Sequence, residues 1–247
     1  MSDSRPNAVA VVLFAVLAGC ESLPSMRQHQ VLQPDNLAAV NMQLGVEYFR
    51  KRDYPTAIEK LNKALELESN YADAHHVLGL VYQRIGEQEQ AEEHFKEAIS
   101  LNPEDSRTLN DFGRFLCDLK RYPEAQQAFQ QALANPLYET PERVHANSGE
   151  CYARAEQYGP AEKVLRAALT ADPRWPQALL EMADLSQRQG HPLEARAYLQ
   201  RFQESSRHTP RSLWLAVRVE RELGDRDAVA SYSLALKSRF PDSEETR

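Results

Sequence analysis

Residues 78–103 read LGLVYQRIGEQEQAEEHFKEAISLNP, and this stretch decides the fold. Leu78-Gly79 and Tyr82 recur at helical spacing on one face, and Gly86 interrupts the pattern. Ala91, Phe95 and Ala98 then mark a second apolar stripe, and Pro103 closes it. Apolar positions three and four apart are the signature of amphipathic helices. Glycine tolerates the positive φ that a tight helix–helix turn needs, and proline ends a helix. The stretch is a pair of short helices, A and B.

The same pair recurs along the chain. Leu44-Gly45-x-x-Tyr48 leads to Ala57, Leu61 and Ala64, and Phe112-Gly113-x-x-Leu116 leads to Ala125, Phe129 and Ala132. Ser148-Gly149-x-x-Tyr152 leads to Ala161, Leu165, Ala168 and Pro173. A weaker set is Met182-Ala183, Ala195 and Leu199, and a degenerate one is Leu215-Ala216, Ala228, Tyr232 and Ala235. The helix-B alanines at 57, 91, 125, 161, 195 and 228 are spaced 34, 34, 36, 34 and 33 residues apart. Gly159, Gly190 and Gly224 fall near A–B turns, as Gly86 does.

A period near 34 with these small, aromatic and proline positions resembles the tetratricopeptide repeat over residues 37–241. The resemblance implies an all-α solenoid of six helical hairpins wound into a right-handed superhelix. Small residues such as Gly45 and Ala57 let the two helices of a unit approach. Larger apolar side chains fill the space between units. No single hairpin buries its apolar face alone, so the units stack.

Two departures bear on the superhelical path. Two extra residues lengthen the connection around Pro136–Pro141, where Thr140 is placed to cap the next helix with Pro141 at its first position. Phe202 stands where the first four repeats carry alanine, which alters the packing of repeat six on repeat five.

The N-terminus carries an early cation, Arg5, an apolar run from Ala8 to Ala18, and Leu17-Ala18-Gly19-Cys20. That is the layout of a secretory signal. With cysteine directly after the small residues it resembles a bacterial lipoprotein signal. Residues 1–19 would be removed and Cys20 would carry diacylglycerol and an amide-linked acyl chain such as palmitate. The apolar run is shorter than the roughly 20 residues of a spanning helix. Glu21 in place of aspartate favours the outer membrane over the inner, by analogy with lipoproteins as a class. Residues 20–36, with Pro24 and Pro34, read as a tether, and residues 242–247 as a polar tail that frays.

Composition excludes several functions. The chain has 247 residues, a formal charge of -7 and nine glycines, and no run of Lys or Arg, so nucleic acid is not an expected partner. No metalloprotease, P-loop or nucleophile-elbow motif is present, so no catalytic residue and no small-molecule substrate is assigned. His75 and His76 point about 100° apart on a helix and do not converge on a metal. Trp175 and Trp214 read as packing residues. The only cofactor-like group expected is the lipid on Cys20.

Stacked hairpins present helix A to the concave side. In tetratricopeptide proteins five places of helix A face that groove. Repeat one puts Met42, Val46 and Phe49 among them, repeat two Leu80 and Arg84, and repeat three Asn110 and Arg114. An apolar patch rimmed by arginine suits an amphipathic partner segment, with Asn110 available to its backbone. The N-terminal linker folding back over the patch is the alternative. Arg50, Arg84, Arg154, Arg188 and Arg221 also recur where a cation complements a helix C-terminus. Cys117 and Cys151 lie on neighbouring A helices of a chain expected in the oxidising periplasm. They are either a disulfide or two buried thiols.

Lipobox, tether and six repeats together resemble the PilF/PilW family of type IV pilus biogenesis lipoproteins. The resemblance rests on Asn110-Asp111-Phe112-Gly113-x-Phe115-Leu116, Lys120-Arg121-Tyr122-x-Glu124-Ala125 and the run Ala178 to Leu185. Ala195-Arg196-x-Tyr198, Arg211-Ser212-Leu213-Trp214 and Leu236-Lys237-x-x-Phe240-Pro241 extend it. It implies a pilotin: a non-enzymatic, lipid-anchored escort facing the periplasm. Such an escort binds secretin subunits and promotes their outer-membrane localisation and multimerisation for pilus assembly. The alternative is an envelope adaptor that recruits peptidoglycan hydrolases through the same groove.

Overall fold

A computed structural model describes residues 37–246, so Cys20, the signal and the expected tether lie outside the described residues. Twelve α-helices form six A–B pairs, and no strand occurs among the described residues. The pairs are α1 (Leu37–Arg50) with α2 (Tyr54–Leu67), α3 (Ala72–Ile85) with α4 (Gln88–Leu101), and α5 (Ser106–Asp118) with α6 (Tyr122–Ala132). Then come α7 (Pro141–Arg154) with α8 (Tyr158–Ala171), α9 (Pro176–Arg188) with α10 (Pro192–Ser205), and α11 (Pro210–Leu223) with α12 (Arg226–Arg239).

Each hairpin closes the same way. One or two places past the end of helix A a residue adopts a left-handed conformation, at Arg52, Gly86, Lys120, Glu156, Gly190 and Gly224. The next N–H reaches back to a carbonyl five residues earlier at 2.9–3.0 Å in all six units, from Asp53 to Tyr48 through Asp225 to Glu220. This closure satisfies the orphan carbonyls of helix A. The left-handed residues are spaced 34, 34, 36, 34 and 34 apart. The two extra residues therefore belong to the α6–α7 connection. There Asn135 accepts from the Leu137 N–H at 2.9 Å and donates to the Glu104 carbonyl at 3.3 Å.

That spacing corrects the sixth repeat. Its register is set by Gly224, so Val217, Val229 and Leu236 occupy the places that the sequence pattern gives to Ala216, Ala228 and Ala235. Leu236 is buried, and Ala235 is only partly so. Gly159 is also reassigned: it lies in the first turn of α8 and not at a left-handed turn. Thr140 does precede α7 with Pro141 following, but its hydroxyl accepts no capping bond. Among the described residues the hydroxyl cap is at α11, where Thr209 and Ser212 bond reciprocally.

The core follows from the alternation of small and large residues. A Cβ added to Gly113 would lie 2.7 Å from the Phe129 ring, and one added to Gly45 would lie 2.5 Å from Leu61. In the first four units glycine is what lets the B-helix side chain cross helix A. Between units, Phe95 of α4 meets Phe112 and Phe115 of α5 at ring separations of 5.8 and 5.5 Å. Phe202 is buried with Leu215, Ala216 and Val219 of α11, so the larger side chain serves as filler at the last interface.

The backbone of each A helix lies against the A helix of the next unit, whereas the backbones of successive B helices stay farther apart among the described residues and meet only through long side chains such as Gln203 and Tyr232. The stack therefore bends toward the A side, which lines its concave face. The polar tail is docked and not frayed. Glu244–Thr246 form one 3-10 turn that packs on α11 and α12, and the Thr246 hydroxyl donates to the Phe240 carbonyl at 2.7 Å.

Candidate functional site: the groove along the A helices

The concave face changes character along its length. From α3 onward, successive A helices are linked by polar side chains about one repeat apart. Arg107 donates to Asp73 at 2.8 Å, and Gln83 to Asp118 at 3.2 Å. The buried His76 ring pairs with Asp111 at 3.0 Å. Asn147 donates to Asn110 at 2.8 Å and accepts from Gln177 at 2.8 Å. Arg154 pairs with Asp118 at 2.7 Å, and Arg211 with the buried Glu181 at 2.8 Å. Buried polar groups are stable only when paired, and this ladder pairs them.

Asn110 belongs to the ladder. The sequence places it as a free groove contact, but its side chain is 2% exposed and its carbonyl oxygen is taken by Asn147. It is an internal strut and not a hand for a peptide backbone. The histidines also have internal roles. His75 pairs with His94 across α3 and α4 at 3.0 Å, and Tyr82 stacks on His94. Among the described residues no group of three or more His, Cys, Asp or Glu is placed to hold a metal.

Between the first two units the face is different. No side-chain hydrogen bond or ion pair links α1 to α3 among the described residues, and the join is apolar. Met42, Val46 and Phe49 are half-buried against the first core cluster. Phe49, Leu80, Arg84 and Arg114 converge on one cleft of about 350 Å³ at the C-terminal ends of α1, α3 and α5. Met42 and Val46 do not line this cleft. Sequence reasoning did not assign Phe115 or Leu119 to the groove, and these two complete its apolar wall. Phe115 lies in the last turn of α5 and Leu119 just past its end.

Cys117 and Cys151 form a disulfide with Cα atoms 5.8 Å apart, joining α5 to α7. It floors a small polar niche that shares Arg114 and Asp118 with the cleft. The bridge holds two A helices together across the lengthened α6–α7 connection, next to the cleft.

Models described as "TPR repeat" and "Tetratricopeptide repeat" match residues 45–86, 72–105, 94–127 and 111–176. The chain is 34% identical over 241 residues to the type IV pilus assembly protein PilF of Pseudomonas aeruginosa, covering 97% of this chain and 96% of that one. It is 31% identical over 129 residues to an uncharacterized protein of Haemophilus influenzae, covering 52% of this chain and 70% of the relative. The crystal structure of PilW, a type IV pilus biogenesis factor, superposes with a TM-score of 0.77 at 32% identity over 85% of this chain and 96% of that one. The structure of Pseudomonas aeruginosa PilF gives 0.75 at 33% identity over 86% and 96%. Near-complete coverage at these identities, on a six-hairpin array of the same build, makes the chain a member of the PilF/PilW family of tetratricopeptide-repeat proteins of type IV pilus biogenesis.

Proposed function

We propose that this protein is the pilotin of a type IV pilus. It is a non-enzymatic lipoprotein, held in the outer membrane by acyl chains on Cys20, with its repeats in the periplasm. It binds secretin subunits in the groove and promotes their localisation and multimerisation there. The observation that carries this reading is the cleft walled by Phe49 and Leu80, on an otherwise polar, self-paired face. An apolar cleft at one end of a solenoid groove suits an amphipathic segment of a partner. Two acyl chains anchor far more firmly than one, at about 0.8 kcal/mol per buried methylene. Confinement to the membrane then raises the local concentration of bound subunits.

The test is detergent co-purification from envelopes, comparing wild type with Phe49→Asp and Leu80→Asp. Secretin is expected with the wild type and lost with the folded variants. Secretin recovered equally with all three would move the binding site elsewhere. Recovery of peptidoglycan hydrolases without secretin would replace the pilotin reading with that of a wall-enzyme adaptor. Mass spectrometry of the mature N-terminus tests the lipid on Cys20, and sucrose-gradient fractionation tests the membrane.

A further inference from the structure

The cleft at α1, α3 and α5 carries unbalanced positive charge. Asp118 is the one carboxylate in its lining, and it is already held by Arg154 at 2.7 Å and Gln83 at 3.2 Å. Arg114 comes no closer than 3.8 Å to Asp111, whose other oxygen is taken by His76 at 3.0 Å. Arg84 has no carboxylate within 4.0 Å among the described residues and is exposed at the cleft edge. Other arginines of the concave face are spent on a neighbour, as in Arg107 with Asp73 and Arg211 with Glu181. Arg84, with no carboxylate partner among the described residues, and Arg114, held only by the long 3.8 Å approach to Asp111, stand beside Phe49, Leu80 and Phe115 in a chain of net charge -7 and make a mixed site.

We infer that the occupant is a partner segment in which apolar anchors are followed closely by a carboxylate. The anchors sit against Phe49 and Leu80, and the carboxylate is clamped between Arg84 and Arg114. Guanidinium presents paired donors that match a planar carboxylate, and the apolar wall reduces competition from water. Arg84 also lies in the last turn of α3, where a cation complements the helix end. That role does not account for the second arginine, which projects from the middle of α5. The inference rests on the groove being the partner site.

The test uses the full lipidated chain in detergent and 15-residue peptides tiled along the secretin, read by fluorescence anisotropy. The tightest peptides are expected to carry Asp, Glu or a free C-terminus within one helical turn of two apolar residues. Replacing that acid by its amide should weaken binding on the order of tenfold. The Arg84→Gln/Arg114→Gln double variant should lose the same factor on the acidic peptide and nothing on the amidated one. Both arginines are exposed, and circular dichroism checks the fold of each variant. Equal binding of acidic and amidated peptides, with dependence on Phe49 retained, overturns the carboxylate clamp and leaves the groove reading intact. Binding unaffected by Phe49→Asp, or no binding by any peptide, overturns the groove reading itself.

Discussion

The Cα atoms of Cys117 and Cys151 lie 5.8 Å apart, and their disulfide joins A helices that are 34 residues apart in sequence. Closing a loop of that length restricts the unfolded chain. The Cys117→Ala/Cys151→Ala double variant, or reduction of the wild type, should lower stability by about 2–4 kcal/mol. Chemical denaturation with and without dithiothreitol measures this. A midpoint unmoved by reductant would show that the bridge contributes nothing.

Gly113 sits where a Cβ would lie 2.7 Å from the ring of Phe129, which is buried. Gly113→Ala should therefore cost about 1–3 kcal/mol by overpacking. Gly159→Ala is the matched control. Nothing lies within 4 Å of its added methyl and its backbone is helical, so stability should hold or rise by up to about 1 kcal/mol. Thermal melts of the two variants decide the matter, and equal behaviour would sink the packing account.

Lys120 and Glu156 hold φ values of 60° and 59°, which a side chain disfavours and glycine accepts. Lys120→Gly and Glu156→Gly should each raise stability by up to about 1 kcal/mol, despite added freedom in the unfolded chain. Gly86→Ala, at φ 87°, should lower it by a similar amount. Loss of stability in both glycine variants would mean that side-chain contacts at these turns outweigh backbone strain.

Burial holds the His94 imidazole below its usual value of 6.5, and the adjacent His75 lowers it further, against Glu93 and Glu97. Burial also lowers His145 and His208. In the unfolded chain these rings take up protons near 6.5 that the native state refuses. Their contribution to stability is therefore complete above 6.5 and is lost as pH falls through the depressed native values. Urea midpoints should fall between pH 7.5 and pH 5, and His94→Gln should flatten that dependence. A variant with the wild-type pH slope would remove His94 from the account.

What could be read from residues was whatever depends on near neighbours in sequence. The hairpin at 78–103, the glycine and alanine seams, Pro141 at a helix start and the 34-residue period are local features of propensity and steric fit. Pro141 shows the limit within a single turn: its position was evident, but whether Thr140 turned its hydroxyl onto a backbone N–H was not. The four cleft residues Phe49, Leu80, Arg84 and Arg114 were found from repeat arithmetic, because equal places in equal hairpins face the same way.

Arithmetic failed where a side chain's role depends on the next unit. Asn110 occupies a groove place, yet Asn147 on the following A helix draws it inside. The sixth unit lost its register because Ala228 matches the sequence pattern, while Gly224 sets where the backbone turns.

The sequence by itself determined the helices, their pairing and their count, since these follow from spacing and turn chemistry within one hairpin. Only the tertiary structure decided which polar groups are spent on each other and which arginines remain for a partner. That outcome depends on contacts between residues a full repeat apart, whose distances are set by how the hairpins stack.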